Sequence, residues 1–405
     1  MKKQLYPLLL VTFIGSFGLS VVLPFLVFLV NDFGGNPFIY GLMGATYPTF
    51  QLIGGPLLGR WSDVYGRKKI LFISQAGTLL SWVIFLVCLY LPIEPIREIE
   101  SNLFGNFTIT WPLIVVFIAR ALDGLTGGNV SVANAYMADI SSAETRKGNF
   151  GKMSAASSLG FILGPAIAGS LAAVSAGYSL PVIFALAISI IGLLIIVMWL
   201  PESLHKSTKA EEAERSFKNI LKIQHVKYMF LLYFLIFLGF NFFYTAFPVH
   251  ASTTLVWSPT QLGFYFSALS VLMVLVQGPL LSKIGKRFSD YSLIIFGSLI
   301  LSLQFFLLIP SLDSLTYVSL FFFALGNGLM WPSYLSILSA CGSKNQQGSI
   351  QGLGTSFGSL ASIIGLLAGG FLYNSMGSYT FLIGGVIIFV VFILSFRSRK
   401  IQNNE

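Results

Sequence analysis

The chain has 405 residues, 55% of them hydrophobic and only 10% charged, with a mean hydropathy of +0.81 and a formal net charge of +9. Soluble domains carry about 25% charged residues, so there is too little polar surface here to cover a water-facing globule, and a soluble enzyme is excluded. The apolar runs approach the roughly 20 residues that a helix needs to cross a bilayer. They lack the alternation of the roughly 10-residue strands of an outer-membrane barrel, so an all-α, multi-pass membrane protein is expected.

In chain order, apolar runs between charge or turn clusters predict twelve spans, at about 5–31, 37–60, 70–91, 112–138, 149–174, 178–200, 227–249, 260–283, 291–310, 314–340, 347–373 and 377–396. The first run has no small-residue cleavage site and is expected to remain as a span rather than leave as a signal peptide. Six spans precede the most charged stretch of the chain, which includes Glu202, Lys206, Lys209, Glu211, Glu212, Glu214, Arg215, Lys218 and Lys222. The prediction is two six-helix bundles, 1–200 and 227–405, the second with a short cytoplasmic tail, joined by a cytoplasmic linker over 201–226.

Basic residues near span ends stay on the cytoplasmic side. With the N-terminus inside, all of the 24 basic residues except Arg97 and Arg120 fall in the N-terminus, alternate loops, linker or tail. Both termini are therefore expected to be cytoplasmic, and the positive net charge reflects topology and anionic lipid rather than nucleic acid. Cys88 and Cys341 sit in separate apolar runs and read as small buried hydrophobes. His205, His225 and His250 show no metal spacing, so no metal, cofactor or catalytic residue is expected.

An internal repeat is visible. The second span ends Gly55-Pro56-Leu57-Leu58, followed by Gly66-Arg67-Lys68-Lys69, and the eighth ends Gly278-Pro279-Leu280-Leu281, followed by Gly285-Lys286-Arg287. Its placement at the same span end in each half argues for duplication. The run from Gly59 through Asp63, Gly66, Arg67 and Lys68 to Lys69 resembles the signature loop between helices 2 and 3 of the major facilitator superfamily. That resemblance spans essentially the whole chain and implies the major facilitator fold, with two pseudo-symmetric halves. It also implies that Asp63 latches one conformation across the half interface while the basic residues meet the membrane surface. The second copy lacks the Asp.

Charge inside a span is costly and marks function. Arg120 and Asp123 lie three residues apart on one face of the fourth span. Arginine stays protonated, whereas an aspartate can gain a proton if its surroundings favour the neutral acid. Both a static pair that fixes the helix and a proton-coupling site fit this spacing. Arg120 with Gly124 resembles the family's helix 4 motif for proton transfer, although Gln is common where this chain has Asp123.

The fifth span carries Gly160, Gly164, Pro165 and Gly169. Small residues at four-residue spacing allow close helix approach, and packing alone would explain them. The run also resembles the antiporter motif of twelve-helix drug/proton exporters of the tetracycline-exporter-like group, with Ala168 where Gly is usual. Asp139 and Arg146, between spans four and five, resemble the same exporters, which implies that they join the Asp63 cluster; simple solvation of a charged loop would also explain them. Leu200-Pro201-Glu202-Ser203 recurs in tetracycline-exporter-like members. Candidate cavity residues are Asn129, Phe240, Asn241, Tyr244, Asn327, Trp331 and Tyr334, an aromatic set with a few amides suited to amphipathic molecules.

The resemblance implies a proton-coupled exporter of drug-like molecules, multidrug or tetracycline-like, in a bacterial inner membrane. The alternative is a transporter of a specific metabolite, lipid or siderophore. The expected partners are a small-molecule substrate, coupling protons and the lipid bilayer, and the chain is expected to work as a monomer.

Overall fold

The computed structural model describes residues 2–127, 129–142, 145–174, 177–203, 220–221, 223, 225–341 and 347–402. The helices are α1 (Lys2–Val21), α2 (Leu26–Asp32), α3 (Pro37–Tyr65), α4 (Arg67–Cys88), α5 (Trp111–Thr126), α6 (Asn129–Asp139), α7 (Arg146–Ala172) and α8 (Ser179–Trp199) in the first part. The second part has α9 (Val226–Thr253), α10 (Pro259–Leu275), α11 (Leu281–Ile284), α12 (Asp290–Leu308), α13 (Asp313–Ala340), α14 (Gln347–Met376) and α15 (Thr380–Gln402).

These helices account for the twelve expected spans, three of them interrupted. The first span breaks between α1 and α2 at Val22–Phe25, where Pro24 lacks the amide that would continue the ladder. The fourth breaks after Thr126, at Gly127. The eighth passes through a π-turn, Val276–Leu280, that contains Pro279. Helix starts are set by local chemistry. Asn36 accepts a hydrogen bond from the Ile39 amide ahead of Pro37, and Thr110 accepts one from Leu113 ahead of Pro112.

The loop between the third and fourth spans is more ordered than its charges suggest. It forms an antiparallel hairpin, β1 (Pro95–Ile99) with β2 (Phe107–Thr110), pairing Arg97 with Ile109 and Ile99 with Phe107. The β-branched residues Ile96, Ile99, Thr108, Ile109 and Thr110 favour strands. The hairpin is fastened to the turn before α3: Asn36 donates to the carbonyls of Phe104 and Asn106, and the Thr108 amide donates to Gly34 at 2.8 Å.

The chain divides into two compact units, Met1–Lys206 with Val256–Ser267, and Ser207–Leu255 with Ala268–Glu405. Within the first, α1 packs on α7 and α8, α3 on α5, and α4 on α5 and α8. Within the second, α9 packs on α14 and α15, and α12 on α13 and α15. The repeated pairing mirrors the sequence repeat. A core of Leu8, Val11, Leu58, Leu71, Val132, Tyr136 and Ile196 fills the first unit. Ile118, Leu194 and Met198 are exposed, as expected of side chains that face hydrocarbon.

Close approach substitutes for the hydrophobic drive that lipid removes. A Cβ on Gly54 would lie 1.9 Å from the Leu125 carbonyl oxygen, and one on Gly124 would lie 2.4 Å from that of Tyr47, so α3 and α5 touch backbone to backbone.

Candidate functional site

The α3–α5 contact places the membrane-depth charges. Arg120 and Asp123, both on α5, are largely buried, and Nη1 of Arg120 lies 3.8 Å from Oδ2 of Asp123. That separation is an ion pair beyond hydrogen-bond length. The other carboxylate oxygen accepts from the Thr78 hydroxyl on α4 at 2.9 Å. The Arg120 guanidinium sits 5.1 Å from the centre of the Tyr47 ring on α3, within cation–π range. Its Nε is buried and makes no hydrogen bond among the described residues. Gln51, one turn from Tyr47, donates to the Tyr47 hydroxyl and to the Gly127 carbonyl where α5 ends.

Asp123 borders two small adjoining recesses. Phe17, Tyr47, Gln75, Thr78 and Ser189 line the larger one, and Val22, Ser81, Phe85 and Arg120 the smaller, with Trp82 shared. Gln75 is tied to α8 through the Ser189 hydroxyl and carbonyl. Tyr47, Gln51, Gln75 and Thr78 were not singled out in the sequence because they are uncharged. Their signal is polarity inside otherwise apolar runs.

A second cluster forms where α3 meets α4. Arg67, 8% exposed, reaches Asp63 at 2.6 Å, Asp139 at 3.0 Å and the Ser62 hydroxyl at 2.7 Å. Glu202 accepts from the backbone amides of Arg67 and Lys68 at 2.7 and 3.2 Å, capping the positive end of α4. Ser203 donates to Asp139, Tyr136 to the Pro201 carbonyl, and Lys68 Nζ to the Val197 carbonyl. Gly59 supplies a carbonyl to Ser62. Gly66 has φ of 106°, and a Cβ there would sit 2.4 Å from Glu202 Oε2. The Arg146 side chain lies outside the described residues.

On α7 a Cβ at Gly160 would strike the backbone of α1, and one at Gly164 would lie 2.1 Å from Ser20 Oγ, which itself donates to the Gly160 carbonyl. Further along α7, Gly169 meets Gly263, whose Cβ would lie 2.5 Å from the Pro165 carbonyl oxygen. Thr260 donates to Gly169 and Ser267 to Ile162.

The aromatic candidates gather in the second unit. Trp331 contacts Tyr233 and Phe237, each at 5.2 Å, Phe240 at 6.4 Å and Tyr334 at 5.7 Å. Tyr334 is fully buried and donates to the Met229 carbonyl. Asn241 donates to Ser362, Tyr244 packs on Phe243 and Phe323, and Asn327 contacts the Met273 sulfur. The Asn129 side chain lies outside the described residues.

Among curated relatives, the class H tetracycline resistance protein of Pasteurella multocida is 27% identical over 99% of this chain and 98% of that protein. The class D tetracycline resistance protein of Salmonella ordonez is 26% identical over 92% and 90%. Multidrug resistance protein 1 of Bacillus subtilis (strain 168) is 26% identical over 94% and 92%. In fold, the chain is similar to a D-xylose-proton symporter, with TM-score 0.78 and 17% identity over 96% of each chain. It is also similar to the human organic anion transporter MFSD10 (TETRAN), with TM-score 0.70 and 19% identity over 97% of this chain and 99% of that one. The pattern that defines the Major Facilitator Superfamily matches residues 8–230 and again 229–404, so the chain belongs to that superfamily and is a multi-pass membrane transporter rather than an enzyme.

Proposed function

We propose that the protein is a proton-coupled exporter of amphipathic, drug-like small molecules, and that Asp123 is its proton site with Arg120 as the fixed counter-charge. The observation that carries this reading is a buried carboxylate held at 3.8 Å from one guanidinium and bordering recesses lined by aromatic and amide side chains. Protonating Asp123 removes the attraction to Arg120 and frees a cation inside a low-dielectric site, which favours rearrangement. The relatives named for tetracycline and multidrug resistance support the substrate class.

In this reading two six-helix halves, 1–200 and 227–405, alternate access while the 201–226 linker joins them, a transporter plan built on repeats. Asp63, Arg67 and Asp139, with Gly59, Gly66, Lys68 and Arg146, act as the conformational switch. Gly160, Gly164, Pro165 and Gly169 form the antiporter helix. Asn129, Phe240, Asn241, Tyr244, Asn327, Trp331 and Tyr334 contribute to the substrate cavity. The protein works as a monomer in a bacterial inner membrane with both termini cytoplasmic.

Proton movement driven by tetracycline or ethidium in everted vesicles tests the proposal. Asp123→Asn is expected to bind drug yet lose proton exchange by about a hundredfold or more, the scale set by removing a proton-transfer group. Exchange unchanged in Asp123→Asn would remove that residue from the mechanism.

A further inference from the structure

The second unit holds a buried imidazole that the Asp123 mechanism does not use. His250, in the last turn of α9, is 0% exposed. Its Nδ1 lies 2.9 Å from the hydroxyl of Tyr373 on α14, and that hydroxyl lies 2.8 Å from the Thr254 hydroxyl just beyond the end of α9. Tyr373 is 6% exposed, whereas Thr254 is exposed. The three groups make an unbroken hydrogen-bonded line from the surface to the imidazole. The other ring nitrogen, Nε2, is buried with no hydrogen-bond partner among the described residues. Phe381 on α15 presents its ring at 5.1 Å, close to perpendicular. Tyr373 is the titratable group that the described contacts bring to His250 from α14. From α15 they bring Phe381, and on its own chain end they bring Thr254; none of these contacts supplies a carboxylate or a basic group.

We propose that His250 is a second proton-binding site of this transporter, loaded through Thr254 and Tyr373 from the end of α9. In the Nε2–H tautomer, Nδ1 accepts the Tyr373 hydrogen, Tyr373 takes the hydrogen of Thr254, and Thr254 takes one from hydronium. One proton is transferred from water to the imidazole, each hydroxyl is restored, and nothing is oxidised or reduced. Once both nitrogens carry hydrogen, Nδ1 still has Tyr373 as acceptor, but the Nε2–H of a cation has none among the described residues. Burying such a charge is costly, so the proton favours a different arrangement of α9 against α14 and α15. A ligand that prefers one of two packings shifts their populations, and here the ligand is a proton. The proposal rests on proton coupling for its role in transport, but not for its chemistry.

Two measurements separate those parts. In the first, ¹⁵N-histidine NMR is recorded on His205→Gln/His225→Asn protein in nanodiscs, where His250 is the remaining imidazole. Titration of both His250 nitrogens between about pH 8 and 4 is expected, with proton exchange slowed about tenfold by Tyr373→Phe, the scale of one lost hydrogen bond. An imidazole that stays neutral across that range, or exchange indifferent to Tyr373→Phe, overturns the proposal. In the second, tetracycline/proton exchange is followed in proteoliposomes. His250→Gln and the shape-preserving Tyr373→Phe are both expected to lower protons moved per drug and flatten the pH profile. Wild-type exchange with an unchanged ratio and profile in both variants overturns the transport role of His250. A wild-type protein that moves no protons with drug overturns proton coupling, and with it the transport role of His250, leaving the NMR titration to decide the site itself.

Discussion

Arg67 takes two carboxylates and a hydroxyl from three directions because a guanidinium offers five donors in a planar fork. Lysine has the charge without the fork. Arg67→Lys is therefore expected to keep Asp63 paired while losing the bonds to Asp139 or Ser62, lowering stability by about 1–3 kcal/mol, read as a fall in the thermal midpoint in detergent. The spacing of Asp63, Gly66 and Arg67 was legible in the sequence, but the reason for the glycine was not. Gly66 adopts a φ that disfavours side chains, and it leaves the space that the Glu202 carboxylate occupies while capping α4. Glu202 lies 135 positions away, and no local pattern connects it to the motif. The same limit hid Tyr47 and Thr78 beside Arg120 and Asp123. Charge in an apolar run is visible one residue at a time, whereas a phenol ring becomes a cation's partner only when two helices meet.

At the scale of helices, small residues decide how closely the elements approach. Gly124→Val on α5 would force α3 away from it, because the added atoms meet the backbone carbonyl of Tyr47 rather than a flexible side chain. Overpacking of this kind costs about 1–3 kcal/mol or more. The expected result is a lower thermal midpoint together with weakened drug binding, since Tyr47 sits on both the contact and the recess. Asn36→Ala tests a different joint. It removes the cap of α3 and both hydrogen bonds to the hairpin, and a loss of about 1–2 kcal/mol is expected from the cap alone. Faster hydrogen exchange confined to 95–110 and the first turn of α3 would be its signature. Glu94, Arg97, Glu98 and Glu100 dominate the composition of that hairpin and mask its strands in the sequence. The strands follow from the β-branched residues and from hydrogen bonds to Gly34 and Asn36, which lie about seventy residues earlier in the chain.

For the molecule as a whole, the twelve runs of apolar sequence were enough to place the helices, since a bilayer tolerates no long irregular backbone in hydrocarbon. The interruptions at Pro24, Gly127 and Pro279 were less visible, because each is a local change inside a run that remains apolar. The proposed orientation makes a direct prediction. With Cys88 and Cys341 replaced by Ser, a membrane-impermeant maleimide should label Glu98→Cys in intact cells and Lys286→Cys only after permeabilisation. The reverse pattern would invert the topology and reassign which compartment loads His250.

The π-turn at Val276–Leu280 bears on how the two copies of the repeat can be compared. In α3 the Gly55-Pro56-Leu57-Leu58 run lies in regular helix, with Leu57 41% exposed and Leu58 4%. Its counterpart, Gly278-Pro279-Leu280-Leu281, crosses a segment wound more loosely than an α-helix. One additional residue in a turn rotates everything after it by about 100°. Identical letters in the two copies thus point in different directions beyond Pro279. Mutational data gathered on one copy should be transferred to the other by azimuth around the helix, not by alignment column.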